Sequence, residues 1–487
     1  MREGSTTPLR LDVQALRALA VVAVIGYHFW PSVLPGGFAG VDAFFVVSGF
    51  LVGGALVREA QRSGRIDWAH FFLRRTRRLL PAALVVVVVT SMVAFVVYSP
   101  VDLLLYGTAW SRPSVSKDAI ASTMGVSNIW FDLENRPYDA ADSSPFTHFW
   151  SLAVEVQFYL LMPLLALLIA LVARKGQRAL ALLTVALSVA LLDVMFIVDL
   201  LVTMPLFFNP VPRLWEFFAG VVVYIGLAHA GAKLESSRRM HVLAAAGWIS
   251  LTAFFFVDVG VQSWPGAPTL WPVLASAAII LGNANAAPWA RLTHSRVVQW
   301  TGDASYSLYL VHWPVLVLST AVIGRELSVL EKVAALVLVL VAYAALYRWV
   351  ETPWRRAAIG TRPHQGRFVV RAGVALIVTL TVPVTIGVVS HARAEQTGGL
   401  SERYVARPVS EQPQRTWTYL PANLRPALVE AGDDRPFTYA ACNADLINHH
   451  EPKPPCVLGP TGDDMPVVVL IGDSHAAQWV DALWPGD

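Results

Sequence analysis

Apolar stretches long enough to cross a bilayer recur along this chain, with polar breaks between them. Crossing ~30 Å of hydrocarbon takes about 20 helical residues at ~1.5 Å each. Eleven stretches meet that length: 12–31, 38–57, 79–98, 147–172, 179–201, 212–230, 242–259, 268–284, 305–323, 331–349 and 371–390. The first resembles a signal peptide, with Arg10 and Arg17 as its basic region. Its end, GYHFWP, offers no small-residue cleavage site and a second span follows at once, so it is read as a retained helix. Beyond 390 the pattern changes. Ten prolines fall between 391 and 466, which predicts a semi-extended linker. MPVVVLIGDSHAAQW then reads as an apolar strand, a glycine turn and the start of a helix.

Composition agrees with a membrane protein. Of 487 residues, 55% are hydrophobic and 15% charged, with a mean hydropathy of +0.53. Soluble domains carry roughly 25% charge. Disorder, a coiled coil and a small disulfide scaffold are excluded. The net charge of +3 conceals an asymmetry: residues 1–390 hold 30 Lys+Arg against 21 Asp+Glu, and the tail holds 7 against 13. Basic residues collect in alternate loops, in the segments Arg58 to Arg78, Arg174 to Arg178, Lys233 to Arg239, Arg291 to Arg296 and Arg355 to Arg367. The intervening loops carry little besides Arg112, Lys117, Arg136 and Arg325. This bias predicts a cytoplasmic N-terminus and, after eleven spans, an extracytoplasmic tail. Such charge orients helices and does not point to nucleic acid. The outer loop 99–146 is far longer than a plain connection of up to ~15 residues and carries Trp110, Trp130 and Phe131.

Ionisable groups inside apolar stretches are the candidates for chemistry. Arg17 and His28 are eleven residues apart, ~1100° of helix, so they share one face at ~16 Å separation. The plainer reading is a snorkelling Arg and an interfacial His. FFLRRTRRLLP closes the first inner loop and sets Arg75 and Arg78 three apart. Paired guanidinium forks suit phosphate oxygens, although positive-inside anchoring explains them too. In HFWSLAVEVQFYL, His148 and Glu155 lie seven apart, nearly one above the other, and Glu155 needs a proton or a partner. Arg213 and Glu216 in PRLWEFFAG have the spacing of a plain helical salt bridge. His312 follows Tyr309 by one turn in GDASYSLYLVHWP, where an outer-half packing contact is the simpler role. In the tail, Cys442 and Cys456 are disulfide candidates for an oxidising compartment, and nothing suggests a metal site.

Taken in order, RLDVQALRALAVVAVIGYH, GGFAGVDAFFVVSGFLV, FFLRRTRRLLP, HFWSLAVEVQFYL, PRLWEFFAG, SYSLYLVHWP and VETPWR resemble acyltransferase family 3 over about residues 8–357. The resemblance implies an all-α polytopic domain of the bacterial inner (plasma) membrane that transfers acyl groups, often acetyl, to extracellular or lipid-linked glycans. It implies an Arg-x10-His signature in Arg17 and His28, an Arg-x-x-Arg pair in Arg75 and Arg78, the SGF segment at Ser48, and a span-four glutamate in Glu155. Asp42, His148, Arg213, Glu216 and His312 stand as supporting candidates. One departure is visible: AVEVQFY places Val156 where the family usually has a second carboxylate. VLIGDSHAAQ is similar to the first block of SGNH hydrolases and transferases, with Ser474 as nucleophile. No Asp-x-x-His block follows, so residues 466–487 read as the truncated start of an extracytoplasmic α/β domain behind a linker at 391–465. Adjacent His475 is not expected to be the base.

The expected activity is therefore O-acyl transfer from acyl-CoA, the donor substrate, with no tightly bound cofactor. Arg75 and Arg78 would hold the donor phosphates, His28 would act as general base or acyl carrier, and Ser474 would be a possible relay to an envelope glycan. The alternative class is a multi-span transporter or flippase, since charges within spans also mark substrate pathways. No inverted repeat supports it.

Overall fold

The computed structural model describes residues 10–63, 66–98, 103, 114–136, 138, 144–173, 207–230, 238–261, 264–282, 290–356 and 362–397; within these it is helical, with no strand. The expected span 179–201 and the tail with Cys442, Cys456 and Ser474 lie outside the described residues. The principal helices are α1 (Leu11–Phe29), α2 (Gly40–Ser48), α3 (Gly54–Ser63), α4 (Trp68–Val97), α5 (Val115–Met124), α6 (Ser127–Leu133) and α7 (Phe149–Ala173). There follow α8 (Leu214–Ala230), α9 (Arg238–Phe254), α10 (Leu270–Gly282), α11 (Arg296–Asp303), α12 (Ser305–Ile323), α13 (Val329–Leu346) and α14 (Arg362–Thr397).

Among the described residues, seven stretches are long and apolar enough to cross a membrane, and they coincide with seven predicted spans. Several apolar helices thus mark a multi-pass membrane protein. α7, with 25 residues, covers an eighth. The predicted span 242–259 ends earlier than expected. α9 ends at Phe254 because the chain there is tied to the α1–α2 turn, where the Gly36 N–H donates to the Phe255 carbonyl at 3.0 Å. For the predicted span 268–284 the apolar helix is described over Ala267–Gly282, and residues 283 and 284 lie outside the described residues.

A second difference concerns the arginine pair. The spanning helix α4 begins at Trp68, where the Asp67 carboxylate accepts from the His70 N–H at 3.0 Å. FFLRRTRR therefore forms the first turns of the span and is not loop. That puts Arg75 and Arg78 on a rigid helix. Further along, Val89, Met92 and Val96 are more than half exposed, as a lipid-facing stripe requires.

α1 is the centre of the bundle. Glycines let neighbouring backbones touch it: a Cβ at Gly40 would lie 2.4 Å from the Ala20 carbonyl oxygen, and one at Gly302 2.0 Å from that of Gln14. α2 runs through a π-turn at Gly49–Gly53 into α3, and it crosses α8 just as closely. There a Cβ on Gly49 would sit 1.9 Å from the Phe217 carbonyl oxygen. The SGF segment is thus a backbone crossing that delivers Ser48. At the periphery, only 22% of the residues of the spans at Val329–Arg355 and Phe368–Ala392 are buried, which leaves most of their apolar surface to lipid.

The long loop 99–146 is structured where described, as α5 and α6 joined at Gly125. Arg136 there meets Asp118 at 2.7 Å and also pairs with Glu134. Against the penalty of burial, Asp118 and then Glu134 hold its guanidinium above the ordinary value. Lys117 lies over the Trp130 ring and Arg325 pairs with Glu331 at 2.9 Å. Three of the four basic residues that break the alternating loop pattern are therefore paired or stacked locally.

Gly49→Ala should destabilise the helical bundle by about 1–3 kcal/mol, the usual range for overpacking. In contrast, a Cβ at Gly226 meets nothing within 4 Å, so Gly226→Ala should leave stability unchanged or slightly raised. Thermal unfolding of the two purified variants in detergent checks the contrast.

Candidate active site

Two cavities meet along α1 and α4. The larger, about 1270 Å³, is walled by α1, α3, α4 and the α11 end, and its lining is rich in arginine. The smaller, about 70 Å³, is a narrow pocket between α1, α2, α7 and α12. Arg17, Leu51, Arg75 and Arg78 line both. The Arg-x-x-Arg pair and the first residue of the Arg-x10-His signature thus converge at one junction.

Arg17 is 7% exposed and does not snorkel. Its Nη1 donates to Gln14 Oε1 and its Nη2 to Ser305 Oγ, each at 2.8 Å, so its partners are neutral. The Arg75 guanidinium lies 5.4 Å from the Tyr159 ring centre. The Nε of Arg78 is buried without a hydrogen-bond partner. Glu155 forms no structural ion pair with them of the kind the sequence left open. Instead, Ser48 Oγ donates to its Oε1 at 2.6 Å and Tyr159 donates to the same oxygen. Opposite Arg17, Arg355 binds Asp303 at 2.6 Å. Although burial would raise it, Arg355 and Tyr347 hold the Asp303 carboxyl below its usual range.

The narrow pocket ends at Ser151 and Tyr309. Tyr309 donates to the His148 carbonyl at 2.9 Å, which leaves Ser151 as donor to the tyrosine oxygen at 2.8 Å. Behind Tyr309 three histidines collect. His28 Nδ1 and His312 Nε2 are 2.9 Å apart, His312 Nδ1 reaches the Tyr309 carbonyl at 2.5 Å, and His28 Nε2 reaches Tyr138 at 2.9 Å. A carbonyl only accepts, so in the neutral rings the polarity is fixed. His312 donates from Nδ1, His28 donates from Nδ1 to His312, and His28 Nε2 accepts from the Tyr138 hydroxyl. The basic lone pair of the signature histidine is thus on Nε2 of His28, where the Tyr138 hydroxyl donates to it. His148 sits beside them, its ring centre 5.9 Å from that of His312. His312 is therefore a partner of His28, not the packing contact that its position suggested.

The shared face expected of Arg17 and His28 holds in a specific form. Both turn toward α12, where Arg17 meets Ser305 and His28 meets His312, seven residues further on. The contacts ascend both helices together, so α1 and α12 run parallel.

Asp42, Arg213 and Glu216 form a separate, fully buried group that lines neither cavity. Asp42 on α2 is the closer partner of Arg213, at 2.9 Å, and Glu216 lies at 3.7 Å. The plain helical pair read from the spacing is thus subordinate to a bond between helices. Arg213 also lies about 5 Å from the rings of Trp150 and Phe207. The group braces α2 against α8 near Gly49.

Several participants carry no signal in the sequence. Tyr138 belongs to the long loop, and Ser151, Ser305 and Tyr159 look like ordinary helix residues. Ser307 donates to Glu351 at 2.5 Å, which places the glutamate of VETPWR behind the junction. Val156, the departure from the family pattern, is 37% exposed and lines neither cavity. A carboxylate at this position would not face the pocket.

Residues 10–348 match the family described as an acyltransferase domain. O-acetyltransferase OatA of Staphylococcus aureus (strain NCTC 8325 / PS 47) is 28% identical over 385 residues, covering 76% of this chain and 61% of the relative. Peptidoglycan O-acetyltransferase OatA of Listeria monocytogenes serovar 1/2a is 30% identical over 362 residues, covering 71% of this chain and 56% of the relative. The chain thus spans about three fifths of the length of these relatives. No solved structure matches. With one match running through α1, the arginine helix and the histidine cluster, this multi-pass chain belongs to acyltransferase family 3.

Proposed function

We propose that the protein is a membrane O-acetyltransferase. It takes an acetyl group from cytoplasmic acetyl-CoA and delivers it to a hydroxyl of an envelope glycan or lipid-linked saccharide. The observation that carries this reading is the junction at Arg17, Arg75 and Arg78. These guanidinium groups line both an arginine-rich cavity large enough for a nucleotide and a narrow pocket directed at Tyr309. On the far side of Tyr309 stand His28 and His312. The relatives supply the acetyl group and, through the Listeria protein's peptidoglycan activity, the glycan class of acceptor.

In this scheme the donor phosphates rest on Arg75 and Arg78, and the thioester arm enters the narrow pocket beside Ser48 and Glu155. The acceptor hydroxyl takes the place of the Tyr138 hydroxyl at His28 Nε2, which removes its proton as its oxygen attacks the thioester carbonyl. The C–S bond breaks as the C–O ester bond forms. The proton then passes from His28 to the departing thiolate, so the products are free CoA thiol and the O-acetyl acceptor. During the step His28 keeps its Nδ1–H bond to His312, and the charge is spread toward a ring held on the Tyr309 carbonyl. In the relay form of the scheme, Ser474 is the first hydroxyl acylated and passes the ester to the glycan. Transfer of radiolabel from acetyl-CoA to a glycan in purified membranes tests the whole reading. Label that stays on CoA would overturn it.

His28→Ala should lower transfer by about 10²–10⁴-fold, the usual cost of losing a general base, with expression and insertion intact. A folded variant within a few-fold of wild type would remove His28 from the chemistry.

Arg75→Ala with Arg78→Ala should raise the apparent KM for donor more than that for acceptor, since each charge-assisted phosphate contact contributes ~1.5–3 kcal/mol. Lys at both positions should restore insertion and only part of the donor affinity, because the fork is lost. Complete restoration by Lys would leave simple anchoring as the role.

Orientation has its own check. In intact cells, a cysteine introduced at Ser63 should be protected from a membrane-impermeant thiol reagent, and one at Ser401 should be labelled. Cys442 and Cys456 should resist labelling until reduced if they are paired. The reverse pattern at positions 63 and 401 would invert the scheme.

A further inference from the structure

The arginines of the large cavity do not form one undivided basic surface. Sorting them by partner separates three groups. Arg10 is neutralised by Asp12 at 2.6 Å and Arg355 by Asp303 at the same distance. Arg17, Arg75 and Arg78 sit at the junction with the narrow pocket and have no carboxylate within 4.0 Å among the described residues. Arg58 and Arg74 lie elsewhere on the cavity wall, on α3 and α4, and take no part in the narrow pocket, while Arg77 lies over the Phe368 ring at 5.3 Å.

Two carboxylates share that rim, and both are occupied by the turn between α3 and α4. Glu59 Oε1 accepts from the Asp67 N–H at 2.9 Å, and the Asp67 side chain accepts from the His70 N–H at 3.0 Å. What Glu59 offers Arg74 is a long contact of 3.6 Å from its other oxygen. The Arg58 guanidinium lies over the Tyr224 ring at 5.2 Å, a contact that orients a cation without cancelling its charge. The acids close the turn, so Arg58 has no carboxylate within 4.0 Å among the described residues and Arg74 has the long Glu59 contact alone.

A coenzyme A donor carries two separate anionic centres. Its diphosphate joins the thioester arm, and its 3′-phosphate stands on the ribose, further from the sulfur. With the arm in the narrow pocket, the diphosphate falls at the junction group and the 3′-phosphate falls outward. We propose that Arg58 and Arg74 form the subsite for the ribose 3′-phosphate and so select coenzyme A over donors that lack it. This rests on the acyl-CoA reading above and adds a specificity site that the Arg-x-x-Arg pair does not provide.

Equilibrium binding to the full chain in detergent tests it, with coenzyme A and dephospho-coenzyme A as the two probes. Wild type should bind coenzyme A about tenfold or more tightly than dephospho-coenzyme A, the scale of one charge-assisted contact. Arg58→Ala with Arg74→Ala should bring that ratio close to one by weakening coenzyme A alone. Retained affinity for the dephospho form shows that the variant is folded. Arg75→Ala with Arg78→Ala should weaken both probes alike. Equal binding of the two probes by wild type, or a preference that survives loss of both rim arginines, overturns the subsite and leaves Arg58 and Arg74 as contacts for lipid headgroups. Failure of wild type to bind either probe instead overturns the acyl-CoA donor reading, and the subsite falls with it.

Discussion

Burying a guanidinium inside a protein costs several kcal/mol unless its donors are satisfied. In α1 two donors of Arg17, one on each terminal nitrogen, are met by an amide and a hydroxyl, so both nitrogens are bonded while the charge is not cancelled by contact. Much of the architecture follows from that condition. Ser305 supplies one of the two acceptors, so α12 must lie against α1 at this level. Because the two helices run parallel, the same contact carries His312 to His28 at the other end. One buried cation thereby fixes the register of the imidazole pair.

Keeping the charge uncancelled also requires the nearby carboxylates to be held by other groups. Asp303 is bound by Arg355 and Tyr347, and Glu351 by Ser307 and Arg355. Glu155, across the narrow pocket, accepts from two hydroxyls. The acids near the junction are thus present but engaged, and an incoming anion meets arginines first. Asp42, Arg213 and Glu216 serve a different end. They place the α2–α8 crossing, and with it Ser48, within reach of Glu155.

Much of this was legible in the residues. Apolar length located the spans that the structure describes as long apolar helices, and helical spacing put Arg17 and His28 on one face. The limits have physical causes. Arg75 and Arg78 read as loop because a dense basic run breaks hydropathy, although a capped helix continues through it. Arg213 and Glu216 read as a local pair because spacing along one helix is visible in a sequence and a partner on another helix, Asp42, is not. His28, His148 and His312 stood as three separate candidates, since their convergence depends on which helices run side by side. Tyr138 had no period to betray it. Apolar length alone also carried α9 past Phe254, where a contact with distant backbone ends it.

The close crossings at Gly40, Gly302 and Gly49 have a mechanical consequence. Where a backbone carbonyl of one helix rests on the α-carbon of another, no side chain lies between them to change rotamer and absorb a tilt. α1, α2, α8 and α11 therefore behave as one stiff block, because sliding one past another forces backbone atoms together. A device that carried cargo by rocking one half of the bundle against the other would need a compliant seam, and these glycines place a rigid one at the centre. Compliance is left to the rim turn, to the lipid-facing helices α13 and α14, and, on the proposed acyl-CoA reading, to the donor's own long arm. On that reading the moving part is the substrate.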